Sequence, residues 1–321
     1  MISYKERSGH FVTGKRITTF IALLLVLQLG AMSSVALWQR YGHEEPSVSA
    51  AANTVKPQRQ TGRAADLTAL QQNTAEILGT EAKSFSVYFL RPEREIEPYI
   101  HNQRPMMSAS MIKLFVMAKV MQDVHDKRLS LDEQLTIKRR DIVGGAGRTT
   151  WYNAGERRTI LQLVNLMIID SDNTATNMLI DRIGLKNLNA YLAQQGFKDT
   201  VIANKMMTGS KGRKNFSSVR DIGHLLTRLY YRQLVAEEED SIMLDILLDQ
   251  HDKECFPQAL PAYKIAHKTG EIDGVFADGG IFFGAQGAFI LVAINEHYAD
   301  RAGTITKMQK LAKYYAGTMK K

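Results

Sequence analysis

A hydroxyl and an amine on one face of a helix can act together as nucleophile and base, and the run SASMIKLFVMAKVMQDV offers such a pair in Ser110 and Lys113. Residues three apart share a helix face, so the amine reaches the hydroxyl. Serine attacks poorly until a base takes its proton. A lysine set among Met111, Ile112, Leu114 and Phe115 loses hydration, which lowers its pKa toward the range where it can be that base. The first helical turn adds free N–H groups and the positive end of the helix dipole, both suited to a developing oxyanion. On its own, however, Ser-x-x-Lys turns up about once by chance in a chain this long.

Two further clusters raise its weight. Ser171-Asp172-Asn173 follows 61 residues after Ser110, where one apolar helix ends and another begins, and Lys268-Thr269-Gly270 follows 97 residues after that, closing a strand. Helix start, interhelical loop and strand end are places from which side chains can converge on a cleft.

The elements that must bring them together follow from periodicity. A helix is predicted near Leu67–Gly79, then a strand in SFSVYFLRP that alternates Phe85, Val87 and Phe89, and a second strand near EIEPYIHN. The middle reads as helical: Ser110 to about Asp126, ERRTILQLVNLMI, NTATNMLIDRIG, LKNLNAYLAQQG and SSVRDIGHLLTRLYYRQL. Strands return in AYKIAHKTG, GVFADGGIFFG and GAFILVAINEH, the last two joined by a tight turn at Gly284–Gly287, before a final helix with apolar residues at Ile305, Met308, Leu311 and Tyr315. Strands at both ends with helices between them predict an α+β fold whose termini build one antiparallel sheet around an all-helical central subdomain.

The three clusters, in this order and spacing, resemble the signature of the penicillin-recognising serine acyltransferases, in particular the class A β-lactamase branch. SDNTATNMLI continues that pattern through Asn177, and the likeness runs from about Asp66 to Lys321. The resemblance implies the β-lactamase/transpeptidase-like fold and a role for each position. Ser110 is the nucleophile and Lys113 its base or proton relay. Ser171 passes a proton to the leaving nitrogen, and Asn173 bonds the substrate's side-chain amide. Lys268, Thr269 and Gly270 hold the substrate carboxylate. The backbone N–H groups of Ser110 and Glu271 form the oxyanion hole, and Asp172 ties down its loop.

The pattern breaks at one point. The family's β-lactamases deacylate through a glutamate between the second and third motifs, yet Thr200–Arg220 contains no Asp or Glu and carries Lys205, Lys211, Arg213 and Lys214 instead. Asn177, whose counterpart bonds that glutamate, has no evident partner. Acylation needs a nucleophile, a base and an oxyanion hole; rapid hydrolysis of the acyl-enzyme needs a second base. The resemblance then points to a penicillin-binding D,D-peptidase on peptidoglycan stem peptides. Two alternatives stand: a β-lactamase whose base is Glu271, Asp273 or Asp278, and a β-lactam sensor or wall-binding module without turnover.

Composition narrows the setting. Of the +8 net charge, residues 1–65 supply +5, so the rest carries no nucleic-acid footprint. Ile17–Trp38 is apolar and uncharged behind Lys5, Arg7, Lys15 and Arg16, which predicts a signal anchor over 17–38 with 1–16 cytoplasmic and the bulk of the chain extracytoplasmic. A cleaved signal peptide ending near Ser34-Val35-Ala36 is the rival reading. Residues 39–65, broken by Pro46 and Pro57, read as a flexible linker to a single domain over 66–321, expected to be monomeric. Cys255 is the sole cysteine, so no internal disulfide forms; it is read as a packing residue. The histidines show no ligand spacing, and no metal or cofactor is expected. His267 should point away from Lys268 by strand alternation, and Trp151 and Tyr152 are read as core residues or, by resemblance, as a cleft rim.

Overall fold

The computed structural model describes residues 63–95, 97–208 and 214–320. The expected anchor Ile17–Trp38 lies outside them; among the described residues no helix is long and apolar enough to cross a membrane. Pro57–Lys321 forms one compact unit.

Its centre is a five-stranded, wholly antiparallel sheet of β1 (Phe85–Leu90), β2 (Tyr99–His101), β7 (Lys264–Ile272), β8 (Val275–Gly284) and β9 (Gly287–Glu296), in the order β2-β1-β9-β8-β7. The first and last parts of the domain thus meet in one sheet, the predicted α+β architecture. Both sheet faces are covered, so every residue of β1 is buried. Phe85, Val87 and Phe89 face one core, shared with α1 (Arg63–Leu78) and the C-terminal α9 (Arg301–Thr318). Tyr88 and Leu90 face the other, shared with the central helices. Helix α1 begins at Arg63, inside the stretch read as linker. Neither core draws on a described residue before Leu70.

The central subdomain packs α2 (Lys113–His125), α3 (Ile160–Ile169), α4 (Asn173–Ile183), α5 (Leu185–Gln194), α6 (Val219–Tyr230) and α7 (Glu237–Leu248) against that second face; a short helix, α8 (Phe256–Ala259), precedes β7. It is not purely helical. The RRT of ERRTILQLVNLMI forms β5 (Arg157–Thr159), paired with β4 (Gln134–Thr136), and β3 (Met106–Met107) pairs with β6 (Phe216–Ser217). Thr159 caps α3 in a capping box with Gln162, which is why the helix starts only at Ile160. Helix α7 has no counterpart among the predicted elements: its first turn is Glu237, Glu238, Glu239 and Asp240, and its N-cap is Ala236. Carboxylates there favour the positive helix end. Asp240 also accepts from the N–H groups of Leu234 and Val235.

One glycine fixes the contact between α6 and the sheet. A Cβ on Gly223 would lie 2.5 Å from the Tyr88 ring, whose hydroxyl is 3.0 Å from Thr227 Oγ1. Helix propensity alone promises about 1 kcal/mol from Gly223→Ala. The overlap reverses that sign, and the variant should be about 1–3 kcal/mol less stable in urea unfolding of the Pro57–Lys321 unit.

Candidate active site

Ser110 lies in a 3₁₀ turn, Ala109–Ile112, that runs into α2, whose first residue is Lys113. The preceding Ala109 is held at φ +45°, an uncommon left-handed conformation for a residue with a Cβ. The Lys113 amine is fully buried and meets four oxygens: Ser110 Oγ at 3.0 Å, Ser171 O at 2.6 Å, Ser171 Oγ at 3.1 Å and Asn173 Oδ1 at 2.9 Å. No carboxylate touches it among the described residues. Burial, and then the charge of Lys268, push its pKa well below the usual lysine range, against a smaller opposing pull from Asp172. Its place at the positive end of α2 acts in the same direction. A neutral amine has two protons and one lone pair: the two shortest contacts take the protons, leaving the lone pair for the Ser110 hydroxyl.

Ser171 occupies a left-handed φ of +55° in the tight link between α3 and α4. Asp172 secures that link: it caps α4 through Ala175 N at 2.8 Å and receives the N–H groups of Arg148 (2.8 Å) and Thr149 (2.7 Å). The glycine-rich run Gly144–Gly147 lies against this knot. A Cβ on Gly147, at φ +115°, would fall 2.4 Å from Asp172. Asn173 donates to Gly144 O (3.0 Å) and accepts from Lys113, which leaves one amide proton and one lone pair for a ligand.

Strand β7 is an edge strand, and its register explains the third cluster. The Ile272–Val275 pair closes a two-residue turn at Asp273-Gly274, so Ile272, Gly270 and Lys268 exchange main-chain bonds with β8 while Glu271 and Thr269 turn theirs to the open edge. Accordingly Thr269 O receives the Lys268 amine at 2.8 Å. That amine also reaches Ser171 Oγ at 3.1 Å; its burial lowers its pKa to about 8, with Asp252 and Asp278 opposing the shift. Lys268, Ser171, Lys113 and Ser110 therefore form one continuous chain of hydrogen bonds. Gly270 allows the strand to touch the nucleophile's backbone: a Cβ there would lie 3.1 Å from Ser110 N and Met111 N and 3.0 Å from Ser108 O. The outward Glu271 N–H and the first-turn N–H of Ser110 can thus face one oxygen.

Alternation disposes of the carboxylates weighed as hydrolytic bases. The Glu271 side chain pairs with Arg301 at 2.7 Å on the opposite row from Lys268. Asp278 is buried beneath the sheet, bonded to His267 Nδ1 (2.9 Å) and Phe256 N (3.2 Å). Asp273 sits in the exposed hairpin turn. The main-chain groups of Thr269 turn to the open edge of β7, beside the Lys268 amine. Cys255 is buried with its thiol pushed up by burial, which rules out a thiolate nucleophile.

Two expectations are corrected. Asn177 has a partner: its amide donates to Met206 O (2.9 Å) and accepts from Met206 N (2.6 Å). A main-chain partner leaves no trace in side-chain identity, so the sequence could not reveal it. Trp151 and Tyr152 are in solvent, not in the core. Met207, at φ +57°, carries no sequence signal of its place; its sulfur lies 3.3 Å from the Cβ position of Gly145, the same point that is 2.6 Å from Asn173 Nδ2.

Known proteins share this arrangement of elements. The structure of PBP-A is 27% identical over 79% of this chain and 97% of that one, with a TM-score of 0.72. A PBP-A mutant in an acyl-enzyme complex with penicillin G is 26% identical over 79% and 98%, at 0.71. A β-lactamase from Sphaerobacter thermophilus DSM 20745, 23% identical over 79% and 98% at 0.72, shares the fold. The model of the β-lactamase enzyme family matches residues 69–315, and with that span, essentially the whole folded unit, the chain belongs to this family.

Proposed function

We propose that this family member is a membrane-anchored, extracytoplasmic serine acyltransferase of the penicillin-binding type, a D,D-peptidase acting on peptidoglycan stem peptides. One observation carries the reading. A buried amine without a carboxylate is aimed at Ser110, while the loop that Asn177 holds by Met206 N and O has no Asp or Glu to serve as a second base. The acyl-enzyme complex of a PBP-A mutant with penicillin G supports the same chemistry.

In this mechanism Ser110 Oγ attacks the substrate carbonyl as its proton passes to Lys113, and the Ser110 and Glu271 N–H groups hold the oxyanion. The carbon–nitrogen bond then breaks. Ser171 gives its proton to the leaving nitrogen and is reprotonated from Lys113, and Lys268 remains cationic to hold the substrate carboxylate. Water or an amine completes transfer from a peptide. A β-lactam acyl group stays, because no second carboxylate primes water against it.

Mass spectrometry after mixing with excess penicillin should show a single adduct that lasts many minutes in the wild type and none in Ser110→Ala. An adduct on Ser110→Ala removes the assigned nucleophile, and rapid turnover in the wild type makes the protein a β-lactamase. In the same assay Met206→Glu should hasten loss of the adduct by about 100-fold or more, the usual yield of a placed general base.

Acylation requires Lys113 neutral and Lys268 charged. Its rate should climb as pH rises through the lowered Lys113 pKa and decline through about 8, where Lys268 gives up its proton. Lys268→Arg should remove the decline; a decline that survives assigns it to another group.

The Ile17–Trp38 segment supplies the anchor in this reading. Full-length chain should fractionate with membranes, whereas a soluble form beginning near Leu37 would replace the anchor with a cleaved signal peptide.

A further inference from the structure

The β4–β5 ladder and the loop joining its strands, whose glycine-rich part lies against Asp172 and Asn173, carry an uneven distribution of charge. Between Gln134 and Thr159 stand Lys138, Arg139, Arg140, Arg148, Arg157 and Arg158 against only Asp141 and Glu156. Arg158 neutralises Glu156, Arg148 leans on Asp170 at 2.8 Å, and Arg140 lies 3.8 Å from Asp141. Lys138, Arg139 and Arg157 have no carboxylate at ion-pair distance among the described residues. The ladder gathers these cations at one end: Thr136 pairs with Arg157, and Ile137 exchanges main-chain bonds with Glu156 and Gly155 at 2.9 and 2.8 Å.

Aromatic rings stand at the same place. Trp151 is 59% exposed and Tyr152 95% exposed, on a 3₁₀ turn, and the Arg139 guanidinium lies 5.5 Å from the Trp151 ring. These are the two most exposed aromatic rings among the described residues, and Trp151 has the unpaired Arg139 beside it. Trp and Tyr are the residue types that seat their rings at a lipid–water boundary with a polar tip toward the headgroups. Lys and Arg beside them meet lipid phosphates. A soluble polyanion without rings or apolar groups, such as polyphosphate, would satisfy the cations and leave both rings wet, whereas an anionic bilayer takes the two together.

We propose that Lys138, Arg139, Arg140 and Arg157, with Trp151 and Tyr152, form a docking face for a bilayer rich in anionic phospholipid. The proposal is in keeping with the anchor reading above and does not depend on it. Docking also orients the cleft. The loop that carries the rings supplies Gly144 O to Asn173 and the Arg148 and Thr149 N–H groups to Asp172.

The test uses the Pro57–Lys321 unit, which holds both cores and matches nearly the whole length of PBP-A. Of the two tryptophans in the chain, Trp38 precedes this unit, so its tryptophan emission reports Trp151 alone. With phosphatidylglycerol-containing vesicles the unit should co-sediment and its emission shift to the blue; with phosphatidylcholine vesicles it should do neither. Lys138→Glu with Arg139→Glu and Arg140→Glu should lower partition by about 100-fold or more while penicillin labelling of Ser110 is kept. The proposal is overturned if anionic vesicles do not bind, if binding ignores the charge reversals, or if polyphosphate binds as well as vesicles and no emission shift occurs. Because the tested unit begins after Ile17–Trp38, these outcomes are independent of whether that segment anchors the chain.

Discussion

The interaction on which the site depends is the burial of the Lys113 amine without a compensating carboxylate. An ammonium in that position would lose its hydration, face the positive end of its own helix and share the Ser171 hydroxyl with a second buried amine, that of Lys268. Neutralisation is the cheaper response, and a neutral lysine is a base. Burial and the neighbouring Lys268 supply the shift, while the carbonyl, the amide oxygen and the hydroxyls around the amine fix its position. Two non-glycine residues at positive φ, Ala109 and Ser171, are the local strain of that enclosure. Asp172 supports it by fastening the Ser171 turn to the wall loop with two main-chain bonds and to α4 with a third.

Strand β7 completes the site by doing different work on its two faces and its free edge. Lys268 points toward the helices, His267 and Glu271 point toward the C-terminal core, and the outer main-chain groups of Thr269 and Glu271 belong to the cleft. A sheet edge normally invites a further strand. Here Gly270 brings that edge against the turn bearing Ser110, so the edge is used by the nucleophile and by an incoming carbonyl.

Much of this was legible in the sequence, and for identifiable reasons. Alternation at Phe85, Val87 and Phe89 revealed a strand, and Ser-x-x-Lys, Ser-Asp-Asn and Lys-Thr-Gly revealed the converging side chains. The parts that escaped are those where the backbone does the work. The Asn177–Met206 bonds, the outward Glu271 N–H and the packing of Gly147 on Asp172 depend on main-chain position, which residue identity does not encode. Helix α7 escaped because its start lacks a capping side chain: Ala236 offers none, and the acidic turn that follows reads as a solvated run. Trp151 and Tyr152 looked like core residues because composition does not reveal on which side of a loop a ring will fall.

That backbone reliance bears on how the two halves of the reaction are related. Asn177 grips the loop through Met206 N and O, so the loop holds its place whatever side chain residue 206 carries. In the proposed mechanism acylation rests on Ser110, Lys113, Ser171 and Lys268, whose side chains make no hydrogen bond to Met206 among the described residues. A carboxylate at that position is therefore needed neither to build the nucleophile nor to fold the loop that would carry it. Placement of the loop is thus separable from the chemistry of the side chain it carries, and under the proposed function the fate of the acyl-enzyme turns on that one side chain.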